Sequence, residues 1–337
     1  MKEVFRLTRK LRWGVIGAAG INQSVIPAIQ ASSTGSVTAI ASRNLEKAQK
    51  AAEKFNIPTA YGSYEEILLD DQIDAVYIPL PNHLHKDWAI RAAQAGKHVL
   101  CEKPLALNAE EAQEMVDACA KANVKLAEAF MHRHNPRLER IKEIIASGEI
   151  GSIRALHGAF TFNNAQDKNN VRYQANMGGG SVYDVGCYPI SLARLIMGSE
   201  PTAATAHAFF STEHDGVDMM CSGLIEFSDQ VAMTFDCGMW ADFRQTFEIL
   251  GTEGRIELSQ AFLPSPDAAD FTVIVKGERR EEKVVFQNPY TLQADNFARA
   301  ILDDQPLLYA SQDAVLNMRV IDAVLKSAKE KVRVSLV

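Results

Sequence analysis

Residues 12–22 read RWGVIGAAGIN. The apolar run at 12–17 has the length of a buried strand and ends on a glycine. The next residues are small, and from Asn22 to residue 32 the spacing becomes helical. Strand, tight turn and helix in immediate succession open a strand–helix–strand unit, and the same grammar continues downstream. SVTAIAS (36–42) reads as a second strand and NLEKAQKAAEKF (44–55) as a helix, with Asn44 as its N-cap. Ser63 and Glu66 have the spacing of a capping box for a short helix. DAVYIPL (74–80) is a third strand, and residues 84–95 are a helix closed by Gly96. HVLCE (98–102) is a fourth strand. Asn108 and Glu111 mark the start of the helix that follows, and VKLAEAF (124–130) is a fifth strand. This series predicts an α/β fold: a Rossmann-like, doubly wound parallel sheet covered on both faces.

After Pro136 the pattern changes. One helix (137–146) leads through SGEIGS into strands of alternating polarity, with GTEG (251–254) as a hairpin turn. Helical stretches are expected at 188–196, 290–302 and 312–329. The second part is therefore read as α+β with a large, mostly antiparallel sheet. The predicted division is one domain at 1–130 and a second at 131–337.

A chain of 337 residues is long enough for two domains. Net charge is −7 with no basic cluster, which gives nucleic acid no electrostatic footing. No stretch approaches the roughly 18 apolar residues of a membrane span. The start, MKEVFRLTRKLRWGVIG, carries charges through Arg12 ahead of an apolar run too short for a signal peptide, so a cytoplasmic protein is expected. Five cysteines (Cys101, Cys119, Cys187, Cys221, Cys237) are widely spaced without C-x-x-C, which fits reduced thiols and no metal site.

Against the dinucleotide fingerprint G-x-G-x-x-G, Gly17 fills the first position, while Ala19 and Asn22 take the second and third. The literal motif fails. Yet the small residues Ala18, Ala19 and Gly20, followed by Ile21 at a helix start, still allow a pyrophosphate to approach free backbone N–H groups. A plain strand–helix turn is the alternative. At the end of the second strand, where an NAD enzyme usually carries a carboxylate, stand Ser42 and Arg43, with Lys47 a turn later. A hydroxyl and cations suit the 2′-phosphate of NADP better than the free ribose of NAD; a solvated surface arginine is the alternative. LPNHLH (80–85) ends the third strand and brings Leu80, Asn82, His83 and His85 to the carboxyl edge of the sheet. His85 is also readable as a helix-cap neighbour, and His83 with His85 lacks the carboxylate or thiolate of a metal set. Glu102-Lys103-Pro104 ends the fourth strand. An ammonium there can polarise or protonate a carbonyl oxygen, with Glu102 to orient it; a surface salt bridge is the commoner fate of such a pair.

The glycine turn, PN-x-x-H and EKP, each after a successive strand, together with EAFMHRHNP (128–136) and GGGSVYDVGCYPI (178–190), resemble the glucose–fructose oxidoreductase / inositol dehydrogenase / rhizopine-catabolism family over essentially the whole chain. The resemblance implies Lys103 as a catalytic lysine. It also implies a D-x-G-x-H/Y motif, here Asp184-Val185-Gly186-Cys187-Tyr188. Tyrosine at its last position resembles the branch with dimeric dihydrodiol dehydrogenase and NADP-dependent D-xylose dehydrogenase. Tyr188 is then a candidate acid/base whose phenol pKa the lysine lowers. Asp184 is a candidate for binding a substrate hydroxyl or orienting Tyr188, with Arg172 and Arg133 as further substrate residues. Tyr61 matches a position near the adenine, and Tyr290 borders either the substrate or a helix cap. Glycines 178–180 read as a flexible turn or a mere connection. Phe162, Trp240 and Phe243 are available for an apolar pocket. The implied function is NADP-dependent hydride transfer to or from a sugar or cyclic polyol. Oxidation of a trans-dihydrodiol is a rival, and a non-catalytic NADP sensor is an alternative of another class. A dimer or tetramer through the C-terminal sheet is implied. The secretion signal and arm of the periplasmic glucose–fructose enzyme are not seen, which speaks for an exchangeable cofactor.

Overall fold

The computed structural model describes residues 9–263, 265–266 and 270–336, apart from the side chain of Asp229. The reading of residues 1–8 lies outside them. Six parallel strands form the first sheet: β1 (Leu11–Ile16), β2 (Gly35–Ala41), β3 (Thr59–Tyr61), β4 (Ala75–Ile78), β5 (His98–Cys101) and β6 (Leu126–Glu128). Their order is β3-β2-β1-β4-β5-β6, so the chain reverses direction between β1 and β4. Such a switch point leaves a crevice beyond the strands' carboxyl ends. The strands β1, β4 and β5 are mostly apolar and, apart from Arg12 and His98, buried, as a sheet covered on both faces requires.

Helices α1 (Asn22–Ala31), α2 (Leu45–Phe55), α3 (Tyr64–Leu68), α4 (His85–Gln94) and α5 (Ala109–Lys121) connect these strands. Three of them start where the side-chain chemistry says they should. Asn44 accepts the Lys47 N–H, Ser63 the Glu66 N–H, and Asn108 the Glu111 N–H. α2 and α4 close on left-handed Asn56 (φ 54°) and Gly96 (φ 73°).

Past α6 (Arg137–Ala146) comes the second sheet: β7 (Ile153–Asn163), β8 (Ala203–Phe210), β9 (Asp218–Glu226), β10 (Ala232–Gly238), β11 (Trp240–Gly251), β12 (Gly254–Leu258), β13 (Phe271–Val275), β14 (Glu278–Glu282) and β15 (Val334–Ser335). Their order is β14-β13-β12-β11-β7-β10-β9-β8-β15. All pairs are antiparallel except β7 with β10. Helix α7 (Cys187–Met197), with an irregular π-type turn at Val182–Gly186 before it, packs on β7. The opposite face of this sheet is open, with a groove of about 1110 Å³.

Past residue 131 the chain does not stay with the second sheet. Helices α8 (Pro289–Leu302) and α9 (Ser311–Glu330) return to the first sheet. α8 packs on α1, Trp13 of β1 meets Phe297 at 5.4 Å between ring centroids, and Asp295 takes hydrogen bonds from Ser32 and Thr34. α9 bridges the halves: it packs on β8 and α5, and Asp322 accepts the Ala109 N–H at 2.8 Å. The C-terminal segment thus completes both cores.

Candidate active site

A cavity of about 1100 Å³ runs along the carboxyl edge of the first sheet, past the β1–α1 turn and into the mouth of the second sheet. Of the residues singled out in the sequence, Gly17, Ala18, Ala19, Gly20, Ile21, Ser42, Arg43, Lys47, Leu80, Asn82, Glu102, Lys103, Arg172, Asp184 and Tyr188 line it. Asn22, Tyr61, His85 and Arg133 do not.

At one end the chain turns sharply at Gly17, whose φ of +125° belongs to glycine and whose absent Cβ would stand 3.0 Å from Leu80. Among the described residues the N–H groups of Ala18, Ala19, Gly20 and Ile21 take no protein acceptor, and α1 starts without a side-chain cap or an acidic first turn. A small-residue cradle with free N–H donors at a helix start fits a pyrophosphate. Asn22 is corrected here: its side chain is buried and its amide donates to the Gly17 carbonyl at 2.8 Å. It fastens the turn from behind instead of facing the groove. Beyond the turn, exposed Arg43 follows the end of β2 and exposed Lys47 stands in the first turn of α2, with Glu46 between them in sequence, while Ser42 is buried at the strand end. Tyr61 is also corrected. Its hydroxyl donates to Asp70 at 2.9 Å, and Tyr64, three residues on, lines the groove instead. Burial pushes the Tyr64 phenol up, against the charge and hydrogen bond of Arg43.

At the other end four groups converge. Lys103 Nζ donates to the Asp184 backbone carbonyl at 2.6 Å and reaches Asp184 Oδ1 at 3.4 Å. Arg172 Nε donates to Asp184 Oδ2 at 2.6 Å. The ammonium stands over the Tyr188 ring, 4.9 Å from its centroid. The π-type turn places Asp184 one helical turn ahead of Tyr188. Burial pulls the Lys103 pKa down, but Asp184, Cys187 and Glu102 together outweigh it and the ammonium is held above its ordinary value. Burial pushes Asp184 up, and Lys103 and Arg172 together bring it below the usual carboxylate range. Glu102 accepts from Tyr77 Oη at 2.6 Å, and burial raises it against the nearby Lys103 charge.

The expectation that the lysine lowers the Tyr188 phenol is overturned. Burial among Phe130, His132, Phe160 and Phe262 holds it well above its ordinary value. The ammonium over the ring, 4.9 Å from its centroid, does not offset that burial. Tyr188 keeps its proton.

Two further positions are corrected. Arg133 is buried behind the site, where it donates to Ser191 Oγ at 2.7 Å, pairs with Asp313 and stacks over Phe130 and Tyr309. His85 is fully buried between two backbone carbonyls. Glycines 178–180 serve close approach and not flexibility: a Cβ on Gly180 (φ +123°) would meet Asp218 Oδ1 at 2.1 Å, and Asn82 Nδ2 donates to the Gly178 carbonyl at 2.8 Å. Phe162, Phe243 and Tyr290 line the groove, joined by Phe160, Met131 and Leu263, which no sequence signal marked. Trp240 stacks on Phe209 at 4.5 Å outside it. Among the described residues no group of three or more His, Cys, Asp or Glu is placed to hold a metal, and all five cysteines are free and buried.

A phosphate cradle at one end of a groove and an ammonium, a phenol and a carboxylate at the other define a nucleotide-dependent oxidoreductase. The chain belongs to the oxidoreductase family with an NAD-binding Rossmann fold known as GFO/IDH/MocA: the family's first domain matches residues 11–130 and its C-terminal domain residues 138–257. It is 40% identical to the NADP(+)-dependent D-xylose 1-dehydrogenase 2 of Haloferax volcanii, over 97% of this chain and 100% of that one. It is 33% identical to the trans-1,2-dihydrobenzene-1,2-diol dehydrogenase of Xenopus tropicalis, over 85% and 84%. Among solved structures it resembles KijD10, a 3-ketoreductase from Actinomadura kijaniata in complex with NADP and TDP-benzene. There the TM-score is 0.90 and the identity 30%, with 95% of this chain and 98% of that one covered.

Proposed function

We propose that the protein is an NADP-dependent oxidoreductase that moves a hydride between nicotinamide and a ring carbon of a sugar or cyclic polyol. The observation that carries this reading is the meeting of Lys103, Asp184 and Tyr188 in the same groove that begins at Gly17 and Arg43. The backbone of residues 18–21 holds the pyrophosphate, and Arg43 with Lys47 takes the 2′-phosphate. The cofactor supplies or accepts the hydride. Lys103 and Tyr188 present N–H and O–H donors to the oxygen of the reacting carbon and stabilise the negative charge that develops there during reduction. Asp184, held ionised, keeps the ammonium in place and accepts from a neighbouring substrate hydroxyl. Steady-state turnover with NADP(+) on D-xylose, D-glucose, inositols and a trans-dihydrodiol tests the reading; turnover on one polyol class supports it, and none on any of them counts against it. The dihydrodiol belongs in that panel because Phe160, Phe162 and Phe243 give the groove an aromatic wall.

The direction of the pKa shifts makes a prediction. Groups raised in the fold keep their protons until the pH climbs past the raised value, and Lys103 and Tyr188 are both raised. Asp184, lowered, loses its charge only in acid. Reduction therefore runs at a flat rate from about pH 5 to about pH 9 and falls only above that. Oxidation, which must shed the proton, climbs with pH over the same span. A bell centred near neutrality in the reductive kcat profile contradicts the assignment.

We place the oligomer contact on the open face of the second sheet, where Thr205, His207, Leu224, Thr234, Thr246 and Glu248 line the groove. Light scattering on the purified protein is expected to give a dimer or tetramer, and Leu224→Arg to shift it toward monomer. A monomeric wild-type protein contradicts the contact.

A further inference from the structure

The hydrogen-bonded ladder between β4 and β5 ends where the Glu102 N–H donates to the Ile78 carbonyl at 3.0 Å. From there the two strands become loops that both line the groove, one through Leu80 and Asn82, the other through Glu102 and Lys103. His85, the first residue of α4, stands behind them with no exposed surface. Its Nε2 lies 2.8 Å from the Leu80 carbonyl oxygen and its Nδ1 lies 3.0 Å from that of Pro104. A single ring thus spans both loops beyond the end of the ladder. On its far side the lysine loop is held by Glu128, whose Oε1 accepts the Leu105 N–H at 2.9 Å.

We infer that His85 is a positioning residue: it sets the spacing between the two loops and, through Pro104, aims Lys103. The inference rests on the reading of Lys103 as the catalytic ammonium. Lys103 precedes the held carbonyl directly, and its Nζ must arrive within hydrogen-bond distance of Asp184 on another element. A displacement at the root of a long side chain is carried to its tip, and about 1 Å of misplacement costs on the order of a hundredfold in rate. His85 touches neither the groove nor its contents, so its effect falls on turnover and not on nucleotide affinity.

Three substitutions separate positioning from mere burial. Leucine removes both ring nitrogens. The amide nitrogen of asparagine takes the place of Nδ1 and reaches Pro104; that of glutamine takes the place of Nε2 and reaches Leu80. His85→Leu is expected to lower kcat by about 10- to 100-fold with NADPH affinity unchanged in a fluorescence titration. His85→Asn restores most of the loss and His85→Gln does not, while the melting temperatures of the two amides agree. In a Lys103→Met background His85→Leu has no further effect. Equal turnover in the Asn and Gln variants, or losses that follow the melting temperature, overturn the inference. A dead Lys103→Met beside an unaffected His85→Leu sinks it alone. A fully active Lys103→Met sinks the reading of the lysine and this inference with it.

Discussion

Lys103→Met lowers turnover by about 100- to 10,000-fold, the scale of an acid–base or charge-stabilising group, and leaves NADPH binding near its original strength. The fold tolerates the change. Methionine replaces the apolar stem, and Asp184 keeps the Arg172 Nε bond of 2.6 Å, so no buried carboxylate is left unpaired. What disappears is the ammonium that donates to the Asp184 carbonyl and stands over the Tyr188 ring. Tyr188 retains its proton without it, because burial already holds the phenol high. A slow residual reduction is therefore expected. Steady-state kcat beside a fluorescence titration checks both halves. Full turnover removes Lys103 from the chemistry; lost NADPH binding makes it a cofactor residue only.

Arg43→Ala is expected to weaken NADPH by about 10- to 100-fold, since a hydrogen bond between charged partners contributes about 1.5–3 kcal/mol. NADH, without the 2′-phosphate, changes by no more than about threefold. Arg43 is exposed at the end of β2, so the loss leaves no cavity, and within the protein it removes the hydrogen bond to the Tyr64 phenol. Lys47 remains nearby and keeps NADPH from weakening further. Comparable weakening of both nucleotides contradicts the assignment of Arg43 to the 2′-phosphate.

The first sheet was largely legible because its signals are local. Most of its strands lie in apolar runs, and the caps Asn44, Ser63 and Asn108 lie next to the N–H groups they serve. β3 escaped notice because three residues make no pattern. The second sheet was legible as alternating strands but not as an order. That β7 pairs β10 in parallel follows from contacts about eighty residues apart, which no periodicity encodes. The return of α8 and α9 to the first domain is likewise a matter of Trp13 meeting Phe297 and Asp295 meeting Ser32.

Within the site, residues at strand ends were readable because the topology alone brings them to one edge. Lys103, Asn82 and Arg43 are of this kind. Orientation was not readable. Tyr61 and Tyr64 share a segment, and only the start of α3 decides which one faces the groove. His85 and Arg133 lie in the right motifs but point backward into packing. The aromatic wall is drawn from β7 and from residues on and beyond β11, whose faces toward the groove are fixed by sheet register. Tyr188 shows the limit for electrostatics. Its neighbour Lys103 was foreseeable, but the ring-face geometry and the aromatic box that reverse the sign of the shift were not.

The central claim is that one groove holds the nucleotide at Arg43 and the reaction at Lys103 and Tyr188. A crystal structure with NADP(+) tests it most directly. The account predicts the 2′-phosphate on Arg43, the pyrophosphate on the backbone of residues 18–21, and the nicotinamide carbon that carries the hydride facing the space between Lys103 Nζ and the Tyr188 hydroxyl. A nicotinamide seated away from Lys103, or a 2′-phosphate pointing into solvent clear of Arg43, contradicts it.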